Sequence, residues 1–234
     1  MSLYPILNQV PPESEQVTHF NYGTQIFRPR AKSLLCGGVF VEVQNVVATA
    51  DLKQPLDLNV ILRVSPGARY SPERFPGLIY RLKRPRTTTL LFASGKMVCT
   101  GAKSTRSATT AIIQVINQLS DQGIVIIAKP IPQIENIVAS ANLNGTIDLE
   151  VAAQRLHQTL YEPEQFPGLI YRLNNPKTVF LIFTNGKIVC TGTKTINNLH
   201  TAVQILQTTL QEHNLITDDS QSTNKPRAII EHAP

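Results

Sequence analysis

The run Phe75-Pro76-Gly77-Leu78-Ile79-Tyr80-Arg81-Leu82 recurs unchanged as Phe166-Pro167-Gly168-Leu169-Ile170-Tyr171-Arg172-Leu173, 91 residues later. The same offset lays Asn45-Val46-Val47-Ala48 on Asn136-Ile137-Val138-Ala139. It also lays Gly95-Lys96-Met97-Val98-Cys99-Thr100-Gly101 on Gly186-Lys187-Ile188-Val189-Cys190-Thr191-Gly192. Between 70–103 and 161–194, 22 of 34 positions are identical without a gap. The chain therefore holds two copies of one unit of about 80–90 residues. Two long copies do not make a solenoid, which stacks several short units. A pseudo-twofold object is the natural outcome.

Each unit reads alike. Val39–Ala50 is β-branched and apolar, as a strand requires. Leu56–Val64 carries Asp57 at a helix start. Tyr70–Arg74 reads as a Pro-containing loop. Leu78–Leu82, Thr87–Phe92 and Lys96–Thr100 read as short strands, with Pro85 between the first two and Ala93-Ser94-Gly95 as the turn of the last pair. Ser107–Leu119 places Ala108, Ala111, Ile112, Val115, Ile116 and Leu119 at helical spacing. Each unit is thus an α+β layer with helices on one face of an antiparallel sheet. The boundaries expected are an N-terminal extension over 1–38, partly disordered, repeats over 39–122 and 134–216, a linker over 123–133 and a disordered tail over 217–234. Ile124–Ala128 in the linker is apolar and expected to add to packing.

Composition narrows the function. Of 234 residues, 22 are Lys or Arg and 16 are Asp or Glu, a net charge of +6. Residues 39–118 carry 11 basic and 4 acidic groups, so the first copy holds all of the excess. Such a bias suits nucleic acid or another anionic surface, though a merely basic surface satisfies it too. No apolar run reaches the ~18 residues of a membrane helix, and no signal peptide is visible. Three Cys without a C-x-x-C spacing and five scattered His give neither a disulfide framework nor a metal site. No Ser/His/Asp order and no phosphate loop is present, so neither a cofactor nor enzymatic activity is expected.

Alternation along the strands leaves both sheet faces apolar. If the helices cover Val46, Leu91 and Cys99, the other face carries Asn45, Val47, Leu90, Phe92, Val98 and Thr100. The second copy repeats it with Asn136, Val138, Leu181, Phe183, Val189 and Thr191. A sandwich would bury both faces, but each unit offers only two helices. An open apolar face of this size means a partner. Flanked by Arg and Lys, it suits the DNA minor groove, which presents mostly acceptors between apolar sugar walls.

Gln44-Asn45-Val46-Val47, Arg74-Phe75-Pro76-Gly77, Pro85-Arg86-Thr87-Thr88 and Ser94 to Lys103 closely resemble the TATA-binding protein family of general transcription factors. The resemblance covers roughly 39–214. It implies a pseudo-twofold saddle, a curved antiparallel sheet with helices on the convex face, whose concave face binds and kinks AT-rich duplex DNA. The kinking mechanism is the family's own and comes with the resemblance. Four wedge phenylalanines are implied: Phe75 with Phe92, and Phe166 with Phe183. Asn45 and Asn136 match the central side chains that meet base acceptors, with the hydroxyls of Thr100 and Thr191 beside them. Val47, Val98, Val138, Val189, Leu90 and Leu181 match the apolar floor. Arg74, Arg81, Lys96, Lys103, Arg172, Lys187 and Lys194 match basic positions near the DNA backbone. Glu162 and Glu164 match the second-stirrup positions that touch the B-type initiation factor.

The chain departs from many eukaryotic members in two places. Ser107–Leu119 has no Lys or Arg where they carry a strongly basic helix, and Asn174-Asn175 replaces basic residues. Pro76, Pro167 and Glu162-Pro163-Glu164-Gln165 look more like the archaeal pattern. The partners implied are AT-rich promoter DNA and the B-type factor, with no membrane and an intracellular location, nucleus or nucleoid. An apolar concave face leaves open a homodimer in the absence of DNA. The rival readings are a diverged paralogue acting as a regulatory or protein-interaction module with weak DNA binding, and an accessory domain of nuclease or repair type.

Overall fold

The computed structural model describes residues 33–36 and 38–218. The first repeat contains β2 (Val39–Asp51), α1 (Leu58–Val64), β3 (Ala68–Ser71), β4 (Phe75–Leu82), β5 (Thr87–Leu91), β6 (Lys96–Ala102) and α2 (Thr105–Asp121). It is preceded by β1 (Ser33–Cys36). The second contains β7 (Gln133–Asn142), β8 (Gly145–Ile147), α3 (Leu149–Arg155), β9 (Thr159–Leu160), β10 (Leu169–Leu173), β11 (Thr178–Ile182), β12 (Lys187–Thr193), α4 (Ile196–Glu212) and β13 (Ile216–Asp218). One antiparallel sheet runs β3-β4-β5-β6-β2-β7-β12-β11-β10-β9, with β1 paired to β2. The α+β class and the two-repeat sheet expected from the sequence are what the chain adopts.

The two repeats join through β2 and β7. Val46 pairs with Ile137, its own counterpart at the 91-residue offset, so the pseudo-dyad passes between them. Capping is repeated as well. Asp57 accepts from the amides of Asn59 and Val60 at 2.9 and 3.1 Å, and Asp148 from those of Glu150 and Val151 at 3.1 Å each. Ser104 and Thr195 cap the long helices in the same way.

The helices cover one face. Val46, Leu91, Met97 and Cys99 are fully buried against Ala111, Ile112, Val115 and Leu119. Ile137, Ile182, Ile188 and Cys190 meet Ala202, Val203 and Leu206. Burial pushes the Cys99 thiol upward and the Cys190 thiol up to about 12, so both are neutral core groups at pH 7.

Several expectations need correction. Tyr70 and Ser71 lie in β3, because the edge of β4 needs a partner for its backbone groups. Ala68 pairs with Tyr80 and Arg69 with Ile79, which shortens the loop to Pro72–Arg74. The long helix of the first repeat starts at Thr105 and so includes exposed Arg106, where Ser107 was expected to begin it. Thr217 and Asp218 are not tail: they pair with Thr146 and Gly145. Ser33–Cys36, in the extension expected to be partly disordered, pairs with Val39–Glu42. The remainder of the extension, 1–32 and 37, and of the tail, 219–234, lies outside the described residues.

The linker packs in part. Ile124 and Ile126 lean on the core, while Val125, Ile127 and Ile131 are exposed. Pro55 lacks the N–H that strand pairing would need here. The Gln54 side chain replaces it, donating to the Val125 carbonyl at 2.7 Å and accepting from the Ile127 amide at 2.8 Å. At the equivalent place in the second repeat, Gly145–Ile147 pairs directly with β13.

Candidate nucleic-acid interface

The sheet face opposite the helices is half-buried rather than sealed. Asn45, Val47, Leu90, Phe92, Val98 and Thr100 all lie on it, as do Asn136, Val138, Leu181, Phe183, Val189 and Thr191. Their strand neighbours are the buried residues of the helical face, as period-two alternation requires.

A phenylalanine pair stands near each end of the sheet. Phe75 and Phe92 meet edge to face, ring centroids 6.0 Å apart at 66°. Phe166 and Phe183 do the same at 5.9 Å and 65°. The geometry suits the ring quadrupoles. Phe75 is 38% exposed and Phe166 36%. Glycine makes room for each pair. A Cβ on Gly77 would sit 2.5 Å from the Phe75 ring and 3.1 Å from the Phe92 ring, and Gly168 stands in the same relation to Phe166 and Phe183 at 2.7 and 3.1 Å. The repeated Phe-Pro-Gly is thus a local requirement of the aromatic pair.

At the centre, Asn45 faces Val138 and Val47 faces Asn136 across the dyad. Gly101 (φ +92°) and Gly192 (φ +101°) form bulges in β6 and β12, conformations that favour glycine. Each bulge points its N–H at an asparagine: Gly101 to Asn45 Oδ1 and Gly192 to Asn136 Oδ1, both at 2.8 Å. Each Asn Nδ2 then donates to the neighbouring threonine Oγ1, Asn45 to Thr100 at 3.1 Å and Asn136 to Thr191 at 3.0 Å. An Nδ2 group has two hydrogens, so one donor on each side is left for an acceptor above the sheet.

The basic residues frame this floor. Arg81 and Arg172 are exposed on β4 and β10, Lys96 and Lys187 begin β6 and β12, and Arg74 is exposed in the loop before β4. Lys103 donates to Gln44 Oε1 at 3.1 Å. Lys194 instead forms an ion pair with Glu135 at 2.6 Å. The hydrogen bond from Lys194, then that from Thr49, holds the Glu135 carboxyl below the usual carboxylate range. Glu162 and Glu164 are exposed in the turn after β9, where the Glu162 carbonyl accepts from the Gln165 and Phe166 amides at 2.9 Å.

Residues not singled out in the sequence share the face. Ile79 and Ile170 pair with Leu90 and Leu181, and Thr88 and Val179 stand between the Arg and Thr of each repeat. Strict alternation within β4 and β10 signals the two isoleucines. Gln44 and Glu135 are extra residues at bulges in β2 and β7. They hydrogen-bond to Ser140 and Thr49 on the same face, at 2.8 and 2.9 Å.

The face is therefore apolar along its length, carries amide donors at its dyad and has an aromatic pair near each end. Among the described residues, no group of three or more His, Cys, Asp or Glu could hold a metal ion, and no helix is long and apolar enough to cross a membrane.

The family model described as transcription factor TFIID, or TATA-binding protein, matches residues 40–122 and 131–213. A TATA-box-binding protein of Pyrodictium occultum is 53% identical over 161 residues, 69% of this chain and 81% of that protein. One from Aeropyrum pernix is 50% identical over 176 residues, 75% of this chain and 87% of that protein. The solved Methanococcus jannaschii TBP superimposes with a TM-score of 0.68 at 42% identity, over 74% of this chain and 98% of that one. These relatives, all archaeal, fit the archaeal leaning of the sequence motifs. With two matched repeats, the shared sheet and identity of this extent, the chain belongs to the TATA-binding protein family.

Proposed function

We propose that this chain is a general transcription initiation factor that binds AT-rich, TATA-type promoter DNA through the minor groove and kinks it. The observation that carries the reading is the twofold floor, with an Asn–Thr–Gly cluster at its centre and a half-exposed Phe pair near each end. In the minor groove A·T and T·A pairs present only acceptors, which the free amide hydrogens of Asn45 and Asn136 can meet. The G N2 amino group would place a donor against those donors and bulk against Val47 and Val138. Wedging by the phenylalanines opens base steps near the two ends of the site, so deformable sequences are favoured, as in the family. Arg81, Arg172, Lys96 and Lys187 steer the phosphates and carry no sequence information. Glu162 and Glu164 present carboxylates to the B-type factor, which with RNA polymerase completes initiation. The chain performs no chemical step, and its place is with the genome inside the cell.

Inosine separates groove readout from base identity, because an I·C pair lacks the G amino group and resembles A·T in the minor groove alone. Anisotropy titrations should show similar affinity for an AT-rich site and its I·C replacement. Affinity for the G·C version should fall by at least tenfold, the equivalent of about 1.4 kcal/mol. Equal affinity for all three duplexes would overturn the reading.

A further inference from the structure

A cavity of about 710 Å³ lies at one margin of the first repeat, between the ends of β2 and β6 and the linker. Its lining includes Thr49 and Val98, which are register partners on the concave face, so it opens beside the proposed DNA floor. Three lysines from three segments line it: Lys53 after β2, Lys96 at the start of β6 and Lys129 in the linker. One carboxylate, that of Asp51, answers them. It pairs with Lys53 at 2.9 Å and stands opposite Lys96 in the strand register. The hydrogen bonds from Lys53, with the charges of Lys53 and Lys96, hold the Asp51 carboxyl below its usual range, so it stays ionised and the cavity keeps an excess of two positive charges. The wall carrying Lys129 is held in place: Pro130 and Pro132 restrict the backbone, and Gln54 ties down Val125 and Ile127. The second repeat differs in sequence at the matching strand ends. At the 91-residue offset Asn142 and Asn144 stand where Asp51 and Lys53 do, and Lys187 stands where Lys96 does.

We infer that this cavity seats a backbone phosphodiester of the bound duplex, with Lys53 and Lys129 joining Lys96 as its cationic partners. The inference rests on the DNA reading above and adds an anchor on one repeat only. A phosphate is the fitting ligand because the site offers ammonium donors and net positive charge beside a surface where DNA strands would pass, and its apolar wall (Ala128, Pro130, Ile131) selects nothing about a base.

Salt dependence tests it. Each phosphate neutralised contributes about −0.9 to the slope of log K against log salt. Lys129→Gln, and Lys53→Gln combined with it, should make the slope shallower by up to about 0.9, a change of about threefold in the affinity ratio between 50 and 200 mM salt. Lys129→Arg should restore the slope, and Lys177→Gln, outside the cavity, should leave it unchanged. A methylphosphonate placed in turn along the duplex should reproduce the loss at one position in the wild-type chain and add less there in the double variant, which keeps only Lys96. An unchanged slope in the double variant, with wild-type binding intact and the variant folded by circular dichroism, would overturn the seat alone. Failure of the wild-type chain to bind the AT-rich duplex at any salt would overturn the DNA reading and the seat with it.

Discussion

Replacing Phe92 and Phe183 with Ala in one chain is expected to weaken binding to an AT-rich duplex by roughly a thousandfold. Each ring is a buried aromatic anchor in the proposed complex, and such anchors cost about 2 kcal/mol or more when truncated, or about 30-fold each. The two stand in separate repeats with no shared partner, so their costs should add. Truncation also removes the ring against which Phe75 or Phe166 is braced, so the partner loses its set orientation. Neither ring neutralises a phosphate, so the salt slope should stay at the wild-type value while affinity falls. Anisotropy titrations at several salt concentrations read both quantities. A loss below about threefold in the double variant would show that the rings are packing residues and not wedges.

The second large effect is on stability. Phe180 is fully buried under the helices of the second repeat and stacks on Tyr171, centroids 6.3 Å apart. Phe180→Ala should cost about 3–5 kcal/mol, from lost burial and the cavity left behind. For a chain of this size that lowers the melting midpoint by roughly 10 °C. The same register position in the first repeat is Thr89, also fully buried, and Thr89→Ala should cost far less because it removes little volume. Calorimetry on the two variants compares one sheet position in both repeats. Equal shifts would contradict the packing described for β11. DNA affinity at a temperature where both variants are folded should be unchanged, because both side chains face the helices.

Much of this was legible in the sequence because the chain states it twice. The 91-residue offset made every motif its own control, and alternation sorted Val46, Leu91 and Cys99 from Val47, Leu90 and Val98. What escaped had physical reasons. Strands β1, β3, β8, β9 and β13 hold two to four residues each, too short for any period to register; β1, β3 and β9 pair with longer neighbours, and β8 and β13 pair only with each other. Gln44 and Glu135 reach the concave face only because bulges place two successive residues on it, which breaks the period of two. Consequently Lys194, expected to be a simple backbone cation, is engaged by the Glu135 carboxylate, whereas Lys103 bonds to the neutral amide of Gln44. The repeats match in apolar floor and differ in charge. Lys83, Arg84 and Arg86 flank Pro85 in the first, while Asn174, Asn175 and Lys177 flank Pro176 in the second. The phosphate seat at Lys53, Lys96 and Lys129 belongs to the same asymmetry.

In the proposed complex the concave face grips the minor groove and kinks the duplex there. Donor and acceptor dyes on the two ends of a short AT-rich duplex report it directly through energy transfer. The wild-type chain should shorten the end-to-end distance at saturation. The Phe92→Ala, Phe183→Ala chain, held at saturation by higher protein concentration, should leave the duplex close to its free length. Saturable binding by the wild-type chain with no change in end-to-end distance would contradict the account.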